Sequence, residues 1–253
     1  MSSSAAVAVR TYLLPLGSTR ALRLGMILLV FMLGLIGLAV GLRFAGPMLP
    51  FLPEDATPTA LRNLRRFLVA PGLGVAAILF SDLALRDGIR QRTLLYPLLG
   101  PVSRRTLALV RTLVTAALLI LGMVALVALT RLLEGAGWAL FPREVLALTG
   151  GALAYVGVFG LVHLVTGRGL FAGLALFAFD FALAYVPFSL RRFSLSYHVR
   201  ALADLQVDME LPVKLTAPET SLAVSMVVLL AVAAVTIFLT AQRFTRKNLG
   251  ELC

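Results

Sequence analysis

Two carboxylates lie inside apolar segments of this sequence, Asp82 in the run from Phe67 to Leu85 and Asp180 within LFAGLALFAFDFALAYVPF. His163 is a third ionisable group in such a setting. A charge within hydrocarbon is costly, so these groups should meet a partner, a polar cavity or a moving ion. Asp82, His163 and Asp180 are therefore candidates for a polar translocation path, and each also has a structural reading. Asp82 can snorkel, cap a helix or pair with Arg86 four residues on. His163 can be a hydrogen-bonded core histidine, and Asp180, near the middle of its segment, can hold helices together. Catalytic alternatives find little support. An aspartyl dyad needs adjacent carboxylates, whereas Asp82 belongs near one membrane boundary and Asp180 near the midplane. Neither GxSxG nor HExxH nor GxxxxGK[ST] occurs in the sequence. His163 and His198 are far apart and the one cysteine is Cys253, so no metal-ligand set or disulfide framework is evident, and no catalytic residue or bound cofactor is assigned.

The elements that must position these groups are membrane helices. Of 253 residues, 60% are hydrophobic and 14% charged, a balance that no soluble interior of this size could hide. The net charge of +11 would suggest nucleic acid in a soluble chain. Here the arginines flank apolar runs and do not alternate with stacking aromatics, so membrane lipids and topology account for them and nucleic acid does not. Six spans are expected, at about 24–42, 67–85, 112–130, 145–166, 170–188 and 221–241, which makes the fold an all-α integral membrane protein. Residues 1–23 read as an interfacial segment and 242–253 as a basic tail. Gly37 and Gly41 form a small-xxx-small pair in span one. Pro47, Pro50, Pro53 and Pro58 interrupt the next segment, which ends in a short amphipathic approach helix; Pro71 and Gly74 allow a kink in span two. Trp138 and Phe141 suit an interfacial aromatic belt, with Pro142 starting span four. Six spans put both termini on one side, and that side carries 13 lysines and arginines against 10 on the other, so the termini are expected in the cytoplasm of a multi-pass protein of the cell (inner) membrane.

The same count isolates RDGIRQRTLLYPLLGPVSRRTLALVR, Arg86 to Arg111, as a basic link between spans two and three. Arg86, Arg90, Arg92, Arg104, Arg105 and Arg111 face a single acid, Asp87. A loop that only fixes topology needs no apolar face, yet Ile89, Leu94, Leu95, Tyr96 and Leu98 provide one, which suggests a short amphipathic helix that docks something.

From Ser81 onward this stretch resembles the coupling segment of type-2 ABC exporter permeases (ABC-2 type). There a second span ends in a polar residue, an acidic-Gly pair opens a short cytoplasmic helix, and a Pro-Val-Ser-Arg turn leads into span three. The resemblance implies a six-span permease subunit that works as a dimer, with a second copy or a paralogue, and with P-loop ATP-binding subunits. ATP and Mg would bind those partners and not this chain. By the same likeness Asp87 and Gly88 open the coupling region, Ile89 to Leu99 form its helix, and Pro101, Val102, Ser103 and Arg104 form its exit turn. The coupling set is then Arg86, Asp87, Gly88, Ile89, Arg90, Arg92, Leu94, Leu95, Pro101, Ser103, Arg104 and Arg105. A second stretch, Leu195 to Asp208, resembles the external segment between spans five and six of such permeases, including the gliding-motility branch, although Leu205 and Gln206 before Val207 and Asp208 depart from that branch. A membrane scaffold or regulatory subunit is the alternative, and an intramembrane hydrolase a third.

Overall fold

The computed structural model describes residues 56–82, 103–166, 169–186, 188–205 and 220–246, with the helical positions Gly34, Gly37 and Gly41. Every regular element among them is helical, and four helices are long and apolar enough to cross a membrane. Residues 24–42, the three glycines apart, lie outside the described residues, as do 86–102. A side chain at Gly34, Gly37 or Gly41 would meet open space.

Helix α1 (Ala56–Phe67) passes through one π-helical turn (Leu68–Gly72) into α2 (Leu73–Ser81). Pro71 lies inside that turn, and the Leu73 N–H reaches back five residues to the Leu68 carbonyl. Proline cannot donate and its ring crowds the preceding turn, so a local widening lets the helix continue past it. The approach helix and span two are thus one membrane-length segment, Thr59–Ser81.

Helix α3 (Arg104–Glu134) is longer than the 112–130 expected from its apolar run. Its ends are set by caps and not by hydropathy. Ser103 is the N-cap, its hydroxyl accepting the Thr106 N–H at 3.1 Å, and Gly135 ends the helix at φ 70°, the left-handed conformation glycine adopts freely. Ser103 and Arg104, expected to form a turn, are therefore the cap and first residue of a helix.

Helix α4 (Phe141–Val165) carries Pro142 in its first turn, and Trp138 packs edge-on against Phe141 at 5.1 Å. Helix α5 (Gly169–Leu183) has 15 residues, about 22 Å at 1.5 Å per residue, against a hydrocarbon core of ~30 Å. The chain then turns before Pro187 and continues as a 3-10 helix (Phe188–Phe193) and the short helix α6 (Leu195–Leu202). Helix α7 (Leu222–Arg246) closes the bundle.

Alpha-4 is the hub. It packs along α7 and also touches α2, α3, α5 and α6. Gly150 and Gly157, seven residues apart, face α7: a Cβ at Gly150 would lie 3.1 Å from Met226 Sδ, and one at Gly157 would run into Thr236. Small residues at this spacing bring two parallel helices close, which compensates for the lack of a hydrophobic drive between helices in lipid. The large apolar residues Leu121, Phe171, Phe179, Val227 and Val235 point outward, while buried serines, threonines and charged groups turn inward. That inversion suits a lipid surround.

Candidate functional site

Ionisable groups gather at three levels of the bundle. The end at which α3 begins is called the link end below, and the end at which α4 begins the far end.

At the link end, α2 and α4 bring Asp82 and His163 together, with His163 Nε2 3.3 Å from Asp82 Oδ1. Gly169, the first residue of α5, lies against them: a Cβ there would lie 2.6 Å from His163 Cδ2, so only glycine fits. His163 Nδ1 faces the Phe159 carbonyl at 2.5 Å, and since a carbonyl only accepts, the ring proton belongs on Nδ1. Nε2 thus faces a carboxylate, and a second proton on the ring makes the contact an ion pair. Asp82 is about one-quarter exposed and His163 buried. Arg86, the other expected partner of Asp82, lies outside the described residues.

At mid-depth, Asp180 is in the last turn of α5 and not at its centre, because α5 stops at Leu183. It nevertheless lies level with Tyr155, the middle of α4. Its carboxylate accepts the backbone N–H groups of Leu195 (2.6 Å) and Ser196 (3.1 Å), the Ser196 hydroxyl (2.6 Å) and the Tyr155 hydroxyl (2.9 Å). The Ser194 hydroxyl donates to the Asp180 carbonyl at 2.8 Å and caps α6 by accepting from the Tyr197 N–H. The carboxylate thus sits at the positive end of a short helix, where backbone donors and the helix dipole stabilise it. Its acceptor sites are largely occupied, and it is remote from Asp82 and His163. The three path candidates resolve into a pair at the link end and a separate helix-capping group.

Helix α6 is fixed on its other side by His198. Its Nε2–H donates to the Arg192 carbonyl at 2.8 Å, leaving Nδ1 to accept from the Ser225 hydroxyl at 3.2 Å. This holds one neutral tautomer. Burial, the largest influence, pushes His198 below its ordinary pKa, against the opposing pull of the Arg192 carbonyl and of Asp180.

At the far end a buried ion network joins α1, α3 and α4. The Glu144 carboxylate takes Arg65 Nη1 at 2.5 Å and Arg131 Nε at 2.7 Å, while Glu134 takes Arg65 Nε at 3.2 Å and Arg62 Nε at 3.6 Å. Arg131 also donates to the Gly137 carbonyl. Glu144 and Arg131 are almost completely buried. In the sequence Arg62 and Arg65 read as part of the amphipathic approach helix and Arg131, Glu134 and Glu144 as part of the loop after span three; the one available signal for the network is that acids and arginines recur at the ends of three neighbouring segments.

Of the coupling set, Ser103, Arg104 and Arg105 are described. Arg105 lies over the Phe238 ring of α7 at 5.2 Å. Arg86, Asp87, Gly88, Ile89, Arg90, Arg92, Leu94, Leu95 and Pro101 lie outside the described residues. No group of three or more potential metal ligands occurs among the described residues. Comparison with family models, with curated proteins and with solved structures finds no match to this chain.

Proposed function

We propose that the chain is the membrane-spanning permease subunit of an ATP-driven exporter of the ABC-2 type, and that residues 86–105 are the surface on which a separate P-loop ATPase docks. The observation that carries this reading is how the link meets α3. Ser103, close to the end of that stretch in sequence, is the N-cap of a helix of 31 residues. Such a helix is a rod of about 46 Å. Its far end is clamped by Arg131 to Glu144, and along its length it packs on α1, α2, α4 and α7. A push on the link would move a packed unit as a rigid body, which is how nucleotide-driven closure of a partner can change access across a bundle. ATP and Mg belong to that partner, and a second copy or paralogue of this chain would complete the pathway. Asp82 and His163 mark the link end of that pathway; Asp180, already engaged as a cap, holds α6 in place.

The test is co-expression with candidate ATP-binding subunits in the inner membrane, followed by co-purification and ATPase assay in detergent. Changing Ile89, Leu94 and Leu95 together to Ala should abolish ATPase stimulation while the chain still folds. A stable complex whose ATPase rate ignores those changes and which moves no substrate would make the chain a scaffold. Hydrolysis by the isolated chain, lost in Asp82→Asn, would overturn the permease reading.

A further inference from the structure

Arg200, on α6, is 8% exposed, and among the described residues its guanidinium has neither a carboxylate partner nor a hydrogen-bond acceptor. It lies instead over two aromatic rings, 4.7 Å from the centroid of Phe181 in the last turn of α5 and 4.3 Å from that of Tyr185 in the turn that follows. These rings are four residues apart in sequence and 5.2 Å from each other. Stacking occupies the face of a guanidinium and leaves its in-plane N–H fork available. Asp180 does not use that fork, since its oxygens accept from Leu195, Ser196 and Tyr155. Asp204 is paired to Arg143 at 3.1 Å.

The length of α5 bears on where this cluster lies. Counted along α5 from Gly169 at 1.5 Å per residue, Phe181 stands about 18 Å from the start of the helix, and the whole helix, about 22 Å, falls short of a ~30 Å core. A buried arginine with no acceptor among the described residues is costly unless an anion reaches it.

We propose that Arg200 binds a phosphate-class oxyanion, its fork meeting two phosphate oxygens while Phe181 and Tyr185 hold its plane. The inference does not depend on the permease reading. The phosphate can come from a far-leaflet lipid headgroup or from solution, and one experiment separates them. The purified chain is titrated with phosphatidylglycerol in a neutral detergent and bound lipid is counted by native mass spectrometry, with and without 10-fold excess inorganic phosphate. Charge-assisted hydrogen bonds contribute about 1.5–3 kcal/mol, so Arg200→Gln should weaken phosphatidylglycerol binding by roughly 10- to 100-fold. Arg200→Lys, which keeps the charge and loses the planar fork, should weaken it by roughly 10-fold at unchanged thermal stability. Retained binding under inorganic phosphate assigns the headgroup as the source, and competition by inorganic phosphate assigns the free anion. Wild-type affinity in both variants, or in Arg200→Lys alone should Arg200→Gln not fold, overturns the proposal. So does non-additive destabilisation between Arg200→Gln and Asp208→Asn, Glu210→Gln or Glu219→Gln, which would give the arginine an internal partner.

Discussion

Replacing Glu144 by Gln preserves shape and one acceptor oxygen but removes the charge at the centre of the far-end network. The native carboxylate is 1% exposed and receives Arg65 at 2.5 Å and Arg131 at 2.7 Å. Without it, Arg131 keeps only the Gly137 carbonyl among these contacts, and Arg62 and Arg65 share Glu134. Breaking a buried pair by removing one partner costs about 3–5 kcal/mol, because the other charge stays desolvated. At about 2–4 °C per kcal/mol for a chain of this size, Tm should fall by roughly 6–20 °C. The assay is thermal unfolding in detergent, followed by circular dichroism at two salt concentrations. Salt should change the difference little, since buried pairs are poorly screened. The double variant Arg131→Met/Glu144→Leu, which removes both desolvated charges, should recover at least half of the loss. The exposed Arg143–Asp204 pair provides the contrast: Asp204→Asn, which tolerates the φ of 58° there, should cost at most about 1 kcal/mol. A Glu144→Gln shift below about 2 °C, or a double variant as unstable as the sum of the singles, would refute the reasoning.

Asp180→Ala removes three hydrogen bonds from the start of α6 and one from Tyr155 of α4; a loss of roughly 2–4 kcal/mol and faster amide exchange across 194–202 should follow, whereas exchange in α3 should not change. At Gly151 a Cβ would lie 2.7 Å from Leu73 Cδ2 and 2.8 Å from Val199 Cγ2, both buried, so Gly151→Ala should destabilise by about 1–3 kcal/mol in the same unfolding assay. His198 is held neutral between Arg192 and Ser225 with its pKa lowered by burial. The unfolded chain therefore takes up this proton first, and stability should decline as pH falls below about 6.5 and level off below the folded value. The Tm difference between pH 7.5 and 5.5 should be smaller in His198→Gln than in the native chain.

Apolar run length located the helices well wherever charge and cap agree. The expected 145–166 and 221–241 differ by a few residues from Phe141–Val165 and Leu222–Arg246. It failed for α3, since Arg104 to Arg111 and Arg131 to Glu134 are helical despite their charge, and Ser103 and Gly135 decide the ends. It failed differently for α5, where a run of 19 residues, 170–188, is met by a helix of 15, Gly169–Leu183, because the chain turns ahead of Pro187. The partners of Asp180 were not legible because two of them are backbone N–H groups some 15 residues downstream, exposed only by the start of a helix. Ser194, with its capping hydroxyl, was the signal for that start. Charges counted for topology were read one at a time, and the Arg65–Glu144–Arg131 cluster is a property of three helix ends meeting in space.

The length of α3 has a consequence for the membrane itself. Its apolar stretch, 112–130, is about 28 Å long and already matches a ~30 Å core. Hiding all of its roughly 46 Å by inclination would need an angle near 50°, beyond the ~0–40° found for membrane helices. Two turns bearing Arg104, Arg105 and Arg111 therefore stand beyond the hydrocarbon, braced against α7 where Arg105 covers Phe238. Those two turns are about 12 Å long. A thicker bilayer would take up part of that length, making lipid composition a control on how far the start of α3 reaches beyond the hydrocarbon.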